Sequence, residues 1–196
     1  MRWAGLSLLA LAAADYTCTF HTDVPVGDGR IVVRVRSAWA PLGAAHLQKL
    51  LHDSFFDGAA FFRVVPDFVV QFGIAGLPAE NKKWSAPISD DPVVSSNVEG
   101  SITYATAGPN TRTTQLFINL KDNARLDKSG FAPFGTVVSG MDVVRAIHNP
   151  TPGSSDGVDQ GNYSSRGDSW IRKAYPGINF VTNATISDSD IAQVEI

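Results

Sequence analysis

The 196-residue chain predicts a mainly β domain, a barrel or a sandwich, on three observations. Short apolar runs alternate with turn residues along most of its length. Only two stretches carry helical spacing, too few for a parallel α/β sheet. Seventeen glycines and eleven prolines suit turns between short strands and not a long helical bundle.

Residues 1–14 (MRWAGLSLLALAAA) stand apart. One basic residue, Arg2, precedes an apolar run that ends in Ala12-Ala13-Ala14, a small-residue site suited to signal peptidase. The run is shorter than the roughly 20 apolar residues that span a bilayer, so stable membrane insertion is not expected. The pattern predicts a secretory signal peptide, then a domain over 15–196 in the endoplasmic reticulum lumen or outside the cell. An apolar helix packed on the domain is the competing reading. Two acceptor triplets, Asn162-Tyr163-Ser164 and Asn183-Ala184-Thr185, fit a secretory chain.

Tyr16–Phe20 reads as the first strand, followed by the turn-rich Pro25–Gly29. Ile31, Val33 and Val35 alternate with Val32, Arg34 and Arg36, the period of a half-buried strand. The two make a hairpin. Pro41 opens a helix where a missing N–H costs least, and Leu47, Leu50, Leu51 and Phe55 share one helical face. Strands follow at Phe61–Val65, Phe68–Phe72, Ser101–Ala105, Thr114–Leu120 and Phe134–Val138, with a second helix marked by Met141, Val144 and Ile147. Residues 149–170, rich in Gly, Pro, Ser and Asp, read as a long loop, and Ile178–Ile186 as a closing strand.

Composition excludes several functions. Sixteen Lys and Arg against nineteen Asp and Glu leave a net charge of −3, which argues against nucleic acid as a partner. The single cysteine, Cys18, rules out an intrachain disulfide framework and a cysteine-built zinc site. It reads as a small core residue, with intermolecular pairing the lesser alternative. His21, His46, His52 and His148 are scattered, as surface or helix-end histidines would be. Asp156, Asp159 and Asp168 lack the alternating ligands and terminal Glu of a calcium loop, so no metal is expected. No nucleophile elbow, zinc-protease motif or phosphate loop is present.

What remains is a set of residues ill-suited to a plain core. In Thr114–Leu120, Leu116, Ile118 and Leu120 share one face; Gln115, Phe117 and Asn119 share the other, a large aromatic among polar groups. That face reads as an open binding surface. Arg63 and Gln71 are equidistant from Asp67, so a three-residue turn, Pro66-Asp67-Phe68, would set them opposite each other on one face of a hairpin. An exposed arginine beside an ordinarily packed phenylalanine fits the spacing equally well.

These segments carry a family resemblance. Phe62-Arg63-Val64-Val65-Pro66-Asp67-Phe68-Val69-Val70-Gln71, with Phe61 before it, resembles the F-x-R-x-x-x-x-F-x-x-Q hallmark of cyclophilins. Ala105–Thr111 with Gln115–Asn119 resembles their second hallmark. Leu126-Asp127 and Phe134–Met141 resemble the third. The motifs stand in the family order over about residues 16–147. The resemblance implies a closed eight-stranded antiparallel barrel capped by two α-helices, and peptidyl-prolyl cis-trans isomerase activity on proline-containing polypeptides.

No covalent bond changes in that reaction, and no cofactor is expected. The barrier is the roughly 18–20 kcal/mol of amide resonance, lowered by binding the twisted amide better than either planar form. By resemblance, Arg63, Phe68 and Gln71 are the catalytic set. Arg63 would aim its guanidinium at the proline nitrogen, whose lone pair accepts a hydrogen bond only as resonance breaks. Phe68, Phe117 and Leu126 would hold the proline ring, Gln71 and the Thr106 backbone would grip the peptide, and Gln115 and Ala105 would shape the groove.

Two positions depart from the best-known cytosolic members. Arg125 stands where they have the tryptophan that contacts cyclosporin, and Phe131 where they have a histidine beside the proline pocket. These departures, shared with divergent, bacterial-like members, predict weak cyclosporin binding. A monomer is expected. The alternative function is a peptide-binding module or chaperone that keeps the groove and turns over poorly. A calcium- or carbohydrate-binding β-protein served by residues 149–170 is a third.

Overall fold

The computed structural model describes residues 14–188; the predicted leader, apart from Ala14, lies outside them. Eight strands form one antiparallel sheet: β1 (Tyr16–Thr22), β2 (Arg30–Val35), β3 (Arg63–Val65), β4 (Val69–Phe72), β5 (Ser101–Tyr104), β6 (Leu116–Asn119), β7 (Pro133–Ser139) and β8 (Val181–Asp188). Their order is β3-β4-β6-β5-β7-β2-β1-β8. All eight predicted strands are present, and the β1–β2 hairpin pairs Tyr16 with Val35 through His21 with Arg30.

The sheet curls without a continuous closing ladder, so the closed barrel is an overstatement. Strands β3 and β8 are its two ends. The segments just before them meet instead, at an isolated Ala60–Phe180 bridge. Phe61 N donates to Asn179 O at 2.9 Å and Val181 N to Ala59 O at 2.8 Å beside it. β3 is three residues long, because its chain turns inward through Ala60, Phe61 and Phe62, all fully buried.

Alternation decides which side chains enter the curl. Val33 and Val35 of β2, Val70 and Phe72 of β4, Leu116 and Ile118 of β6 and Phe134 of β7 form its core. Phe20 packs edge-on against Phe56 at 5.4 Å and Phe72 at 5.1 Å. Helix α1 (Pro41–His52) closes one end with Leu47, Leu50 and Leu51; Phe55 is buried just beyond its last turn. No side chain at its N-cap satisfies its first N–H groups. Asp91 does so from 49 residues away, accepting from Leu42 N at 2.9 Å and Gly43 N at 2.8 Å. The same carboxylate pairs with buried Arg112 at 3.1 Å. His46 is buried on this helix, edge-on to Trp84 at 5.6 Å, and not a surface histidine. Cys18 is a buried core residue whose thiol burial pushes up to about 12.

Where two helices are expected, the described residues hold four α-helices. The second predicted helix is present as α3 (Met141–Ala146); α2 (Pro78–Lys83) and α4 (Gln160–Ala174) are additional. The 149–170 loop is therefore corrected: it is irregular only to residue 159, where the Asp159 side chain accepts from Asn162 N at 2.9 Å and caps α4. Tyr163, Gly167 and Ile171 form the buried face of α4, at a spacing of four. The helix kinks at Gly167, where φ is 73° and a Cβ would collide with the backbone of Gly76 beside α2.

With Phe62, Ile74, Val158 and Phe180, Tyr163 and Ile171 form a second, smaller core between α4 and the sheet. Tyr163 locks it. Its hydroxyl donates to Ile74 O at 3.0 Å and accepts from Ala60 N at 2.8 Å. Tyr163→Phe strands both backbone groups in a dry site, at a cost of about 1–3 kcal/mol. Urea denaturation should read this as a lower midpoint with an unchanged slope.

Candidate active site

The three-residue turn forms as the spacing predicts. Val65 pairs with Val69, Phe68 N donates to Val65 O at 3.0 Å, and Asp67 takes the left-handed conformation at φ 56°. Arg63 then faces Gln71 across the β3–β4 ladder, and Gln71 faces Phe117 across β4–β6. Three adjacent strands thus deliver a cation, an amide and an aromatic ring in one row on the outer face.

A pocket of about 230 Å³ opens beside this row. It is lined by Arg63, Phe68, Gln71, Ala105, Thr106, Phe117, Leu126 and Phe131, eight of the nine predicted site residues, together with Val69. The ninth, Gln115, lies in the adjoining cleft, which shares Gln71, Ala105 and Thr106 with the pocket. Phe131 meets Phe117 edge-on at 5.7 Å. The guanidinium of Arg125 lies 4.6 Å over the ring of Phe68, so a cation stands at the rim. The Thr106 hydroxyl is committed to its own loop, facing the Thr111 hydroxyl at 2.8 Å and accepting from Gly108 N at 3.1 Å.

Arg63 is held on two sides. Its Nε donates to Ser155 O at 2.6 Å and its Nη1 to Gln71 Oε1 at 2.9 Å. Burial draws its pKa down and nearby Asp156 opposes that. Gln71 Nε2 donates to Gln115 Oε1 at 2.7 Å, and Gln115 Nε2 to Gln160 Oε1 at 3.1 Å. Ser155 and Gln160 lie in the stretch that composition marks only as loop, and the sequence gives no signal for either.

The far wall is positioned by a buried amide cluster that the sequence reading also misses. Leu126 lies on a short 3-10 helix, Ala124–Ser129. Asp127 accepts from Asn97 N at 2.9 Å, and Asn97 Nδ2 donates to Phe131 O at 2.9 Å. Asn123 Nδ2 donates to Phe68 O at 3.0 Å and to Asn119 Oδ1 at 2.8 Å. Asn119 is therefore fully buried and not part of an open surface. Strand β6 is buried on both faces because this cluster covers the outer one.

The three aspartates considered for calcium have other work: Asp159 caps α4, Asp168 pairs with Arg172 at 3.6 Å, and Asp156 lies near Arg63. Among the described residues no three His, Cys, Asp or Glu side chains converge as metal ligands would. No helix among them is long and apolar enough to cross a membrane.

A curled eight-stranded sheet with an arginine beside an aromatic pocket on its outer face is a cyclophilin-like arrangement. The profile of the family described as cyclophilin type peptidyl-prolyl cis-trans isomerase/CLD matches residues 18–165. A peptidyl-prolyl cis-trans isomerase of Acinetobacter baylyi is 33% identical over 162 residues, 80% of this chain and 84% of the relative. One from Streptomyces antibioticus is 35% identical over 139 residues, 66% and 83% of the two chains. The crystal structure of a Cryptosporidium parvum cyclophilin shares the fold at a TM-score of 0.68 and 14% identity, covering 90% of this chain and 99% of that one. The chain belongs to the cyclophilin-type peptidyl-prolyl cis-trans isomerase family.

Gly157 sits against the arginine stem. Its φ is 78°, and a Cβ there would lie 2.7 Å from Arg63 Cβ and from Phe62 O. If the Arg63 guanidinium acts at the reacting centre, as proposed below, Gly157→Ala should displace it and lower kcat/KM by about tenfold or more, since small misplacements there are costly. The melting temperature should fall by only a few degrees, about what a strained backbone position costs.

Proposed function

We propose that the chain performs the family's reaction with Arg63 as its principal catalytic group. The arrangement supporting this is a guanidinium fixed by Ser155 O and Gln71 Oε1 beside a pocket walled by Phe68, Phe117, Leu126 and Phe131. Two bonds set the plane of the group, and its remaining N–H donors are available at the pocket.

The proline ring enters the apolar pocket and anchors one side of the amide. Gln71 and the Thr106 backbone hold the flanking peptide. As the bond twists, resonance breaks and the proline nitrogen gains an accepting lone pair. A donor aimed at that atom stabilises the twisted amide and neither planar form, which is the condition for acceleration. A hundred-thousandfold acceleration corresponds to about 7 kcal/mol of such selective stabilisation.

We read the chain as a monomer that binds cyclosporin weakly. The pocket is built within one chain, and Arg125 over Phe68 presents a guanidinium where tight-binding members have an indole. The chain enters the secretory pathway by a cleaved leader, a reading supported by the apolar run and small-residue site within residues 1–14. Asp15 is the first residue beyond the leader; its side chain accepts from Ser37 N at 2.9 Å and pairs with Arg36 at 3.0 Å. N-terminal sequencing of the mature protein should begin at Asp15, and a retained Met1 would overturn it.

Arg63→Ala tests the function in an X-Pro exchange assay on residues 15–196. The rate should fall by about 10²–10³, as for other preorganised donors, while peptide affinity changes only a few-fold. A wild-type chain that binds proline peptides without accelerating them would establish the binding-module alternative. In the same assay, sub-micromolar inhibition by cyclosporin would contradict the reading of Arg125.

A further inference from the structure

The three glutamines beside Arg63 form a chain with a fixed direction, and that direction comes from chemistry. An arginine offers only donors, so Gln71 must turn its carbonyl oxygen toward Arg63. Its NH₂ then faces Gln115, whose oxygen must turn to meet it. The NH₂ of Gln115 is left facing Gln160, which must accept. The contacts follow this order: Arg63 Nη1 to Gln71 Oε1 at 2.9 Å, Gln71 Nε2 to Gln115 Oε1 at 2.7 Å, and Gln115 Nε2 to Gln160 Oε1 at 3.1 Å.

Gln160 is the last member and the first residue of α4. Its backbone is pinned on both sides. Val158 N donates to Phe62 O at 3.0 Å, and Tyr163 N donates to Asp159 O at 3.0 Å in the capped first turn. Three residues on, the Tyr163 hydroxyl ties the helix to Ala60 and Ile74. The end of the relay therefore rests on a rigid element, while Gln71 is nearly buried and Gln115 half-buried along the way.

We propose that Gln160 is a positioning residue for the isomerase reaction: its carbonyl oxygen sets the orientation of Gln115, hence of Gln71, hence of the Arg63 guanidinium. The proposal rests on Arg63 as the catalytic group. It makes α4 part of the catalytic apparatus, although the helix itself lies beyond the proline pocket. An amide alone in a half-buried cleft has two flip states of similar energy. An acceptor at the far end reinforces what Arg63 fixes at the near end, because a flip at Gln115 would set its oxygen against Gln160 Oε1 as well as its NH₂ against that of Gln71.

Three substitutions separate this from a packing role. Gln160→Met keeps the volume and removes the acceptor; it should lower kcat about fivefold, the worth of one net hydrogen bond, with peptide Kd unchanged. Gln160→Lys offers only donors and forces Gln115 to reverse; it should lower kcat further, by about tenfold or more. Gln160→Glu keeps an accepting oxygen and should recover most of what Met loses. The side-chain amide resonances of Gln71 and Gln115 in ¹⁵N–¹H spectra should move in the Met and Lys variants and stay near wild type in Glu. Equal kcat in all three variants, or unmoved Gln71 resonances in the Lys variant, would overturn the relay. An Arg63→Ala chain that keeps its rate would overturn the function of Arg63 instead, and the spectra would still decide whether the relay exists.

Discussion

A half-buried guanidinium held in one orientation is the constraint on which the rest of the molecule depends. Taking Arg63 partly out of water disfavours its charge, and its pKa is drawn down accordingly. Ser155 O and Gln71 Oε1 offset that loss, and Asp156 adds a favourable charge nearby. The same two hydrogen bonds that make burial tolerable also fix the plane of the donors. With Arg63 in the role proposed for it, stability and catalytic geometry are one requirement. A flexible arginine in water would reach the same point in space but would spend little time there, and hydration would weaken its bond to a twisted amide.

The sheet serves that requirement through register. Because β3, β4 and β6 are neighbours, Arg63, Gln71 and Phe117 fall in line without any loop having to place them. Inward residues of the same strands, Val64, Val70 and Ile118, are core, so a one-residue slip would bury the arginine and expose the valines. The apolar wall is built differently. Leu126 lies on a single short 3-10 helix and Phe131 on irregular backbone, and the asparagines at 97, 119 and 123 with Asp127 supply hydrogen bonds that a sheet would have supplied. Polar residues buried there stabilise a loop, and through it the shape of the pocket.

How much of this was legible in the sequence follows from whether the deciding contact was local. Short apolar runs between turn residues, two of them with clear alternation, marked all eight strands, and the equal spacing of Arg63 and Gln71 about Asp67 marked the hairpin, since turn and register are set within ten residues. The family resemblance then marked the pocket residues, and the structure gathers all nine into the pocket and the cleft beside it. Long-range features stayed hidden. Helix α4 carries three Ser and two Gly, poor helix formers, and its buried face is only Tyr163, Gly167 and Ile171. Nothing local says that Gly167 is needed for contact with Gly76, or that Ser155 will meet an arginine 92 residues away. Asn119 read as surface because its cover comes from residues 97 and 123. The closed barrel came from the family resemblance; the segments before β3 and β8 meet at an isolated bridge that no periodicity encodes.

In the proposed reaction, donor geometry at Arg63, and not positive charge alone, lowers the rotation barrier. Arg63→Lys isolates it, because lysine keeps the charge and loses the rigid fork that Ser155 and Gln71 orient. Exchange NMR on a proline peptide gives the bound-state cis–trans rate, and titration gives the affinity. The rate should fall about a hundredfold with Kd changed only a few-fold. A lysine variant that isomerises the bound peptide as fast as wild type would contradict it.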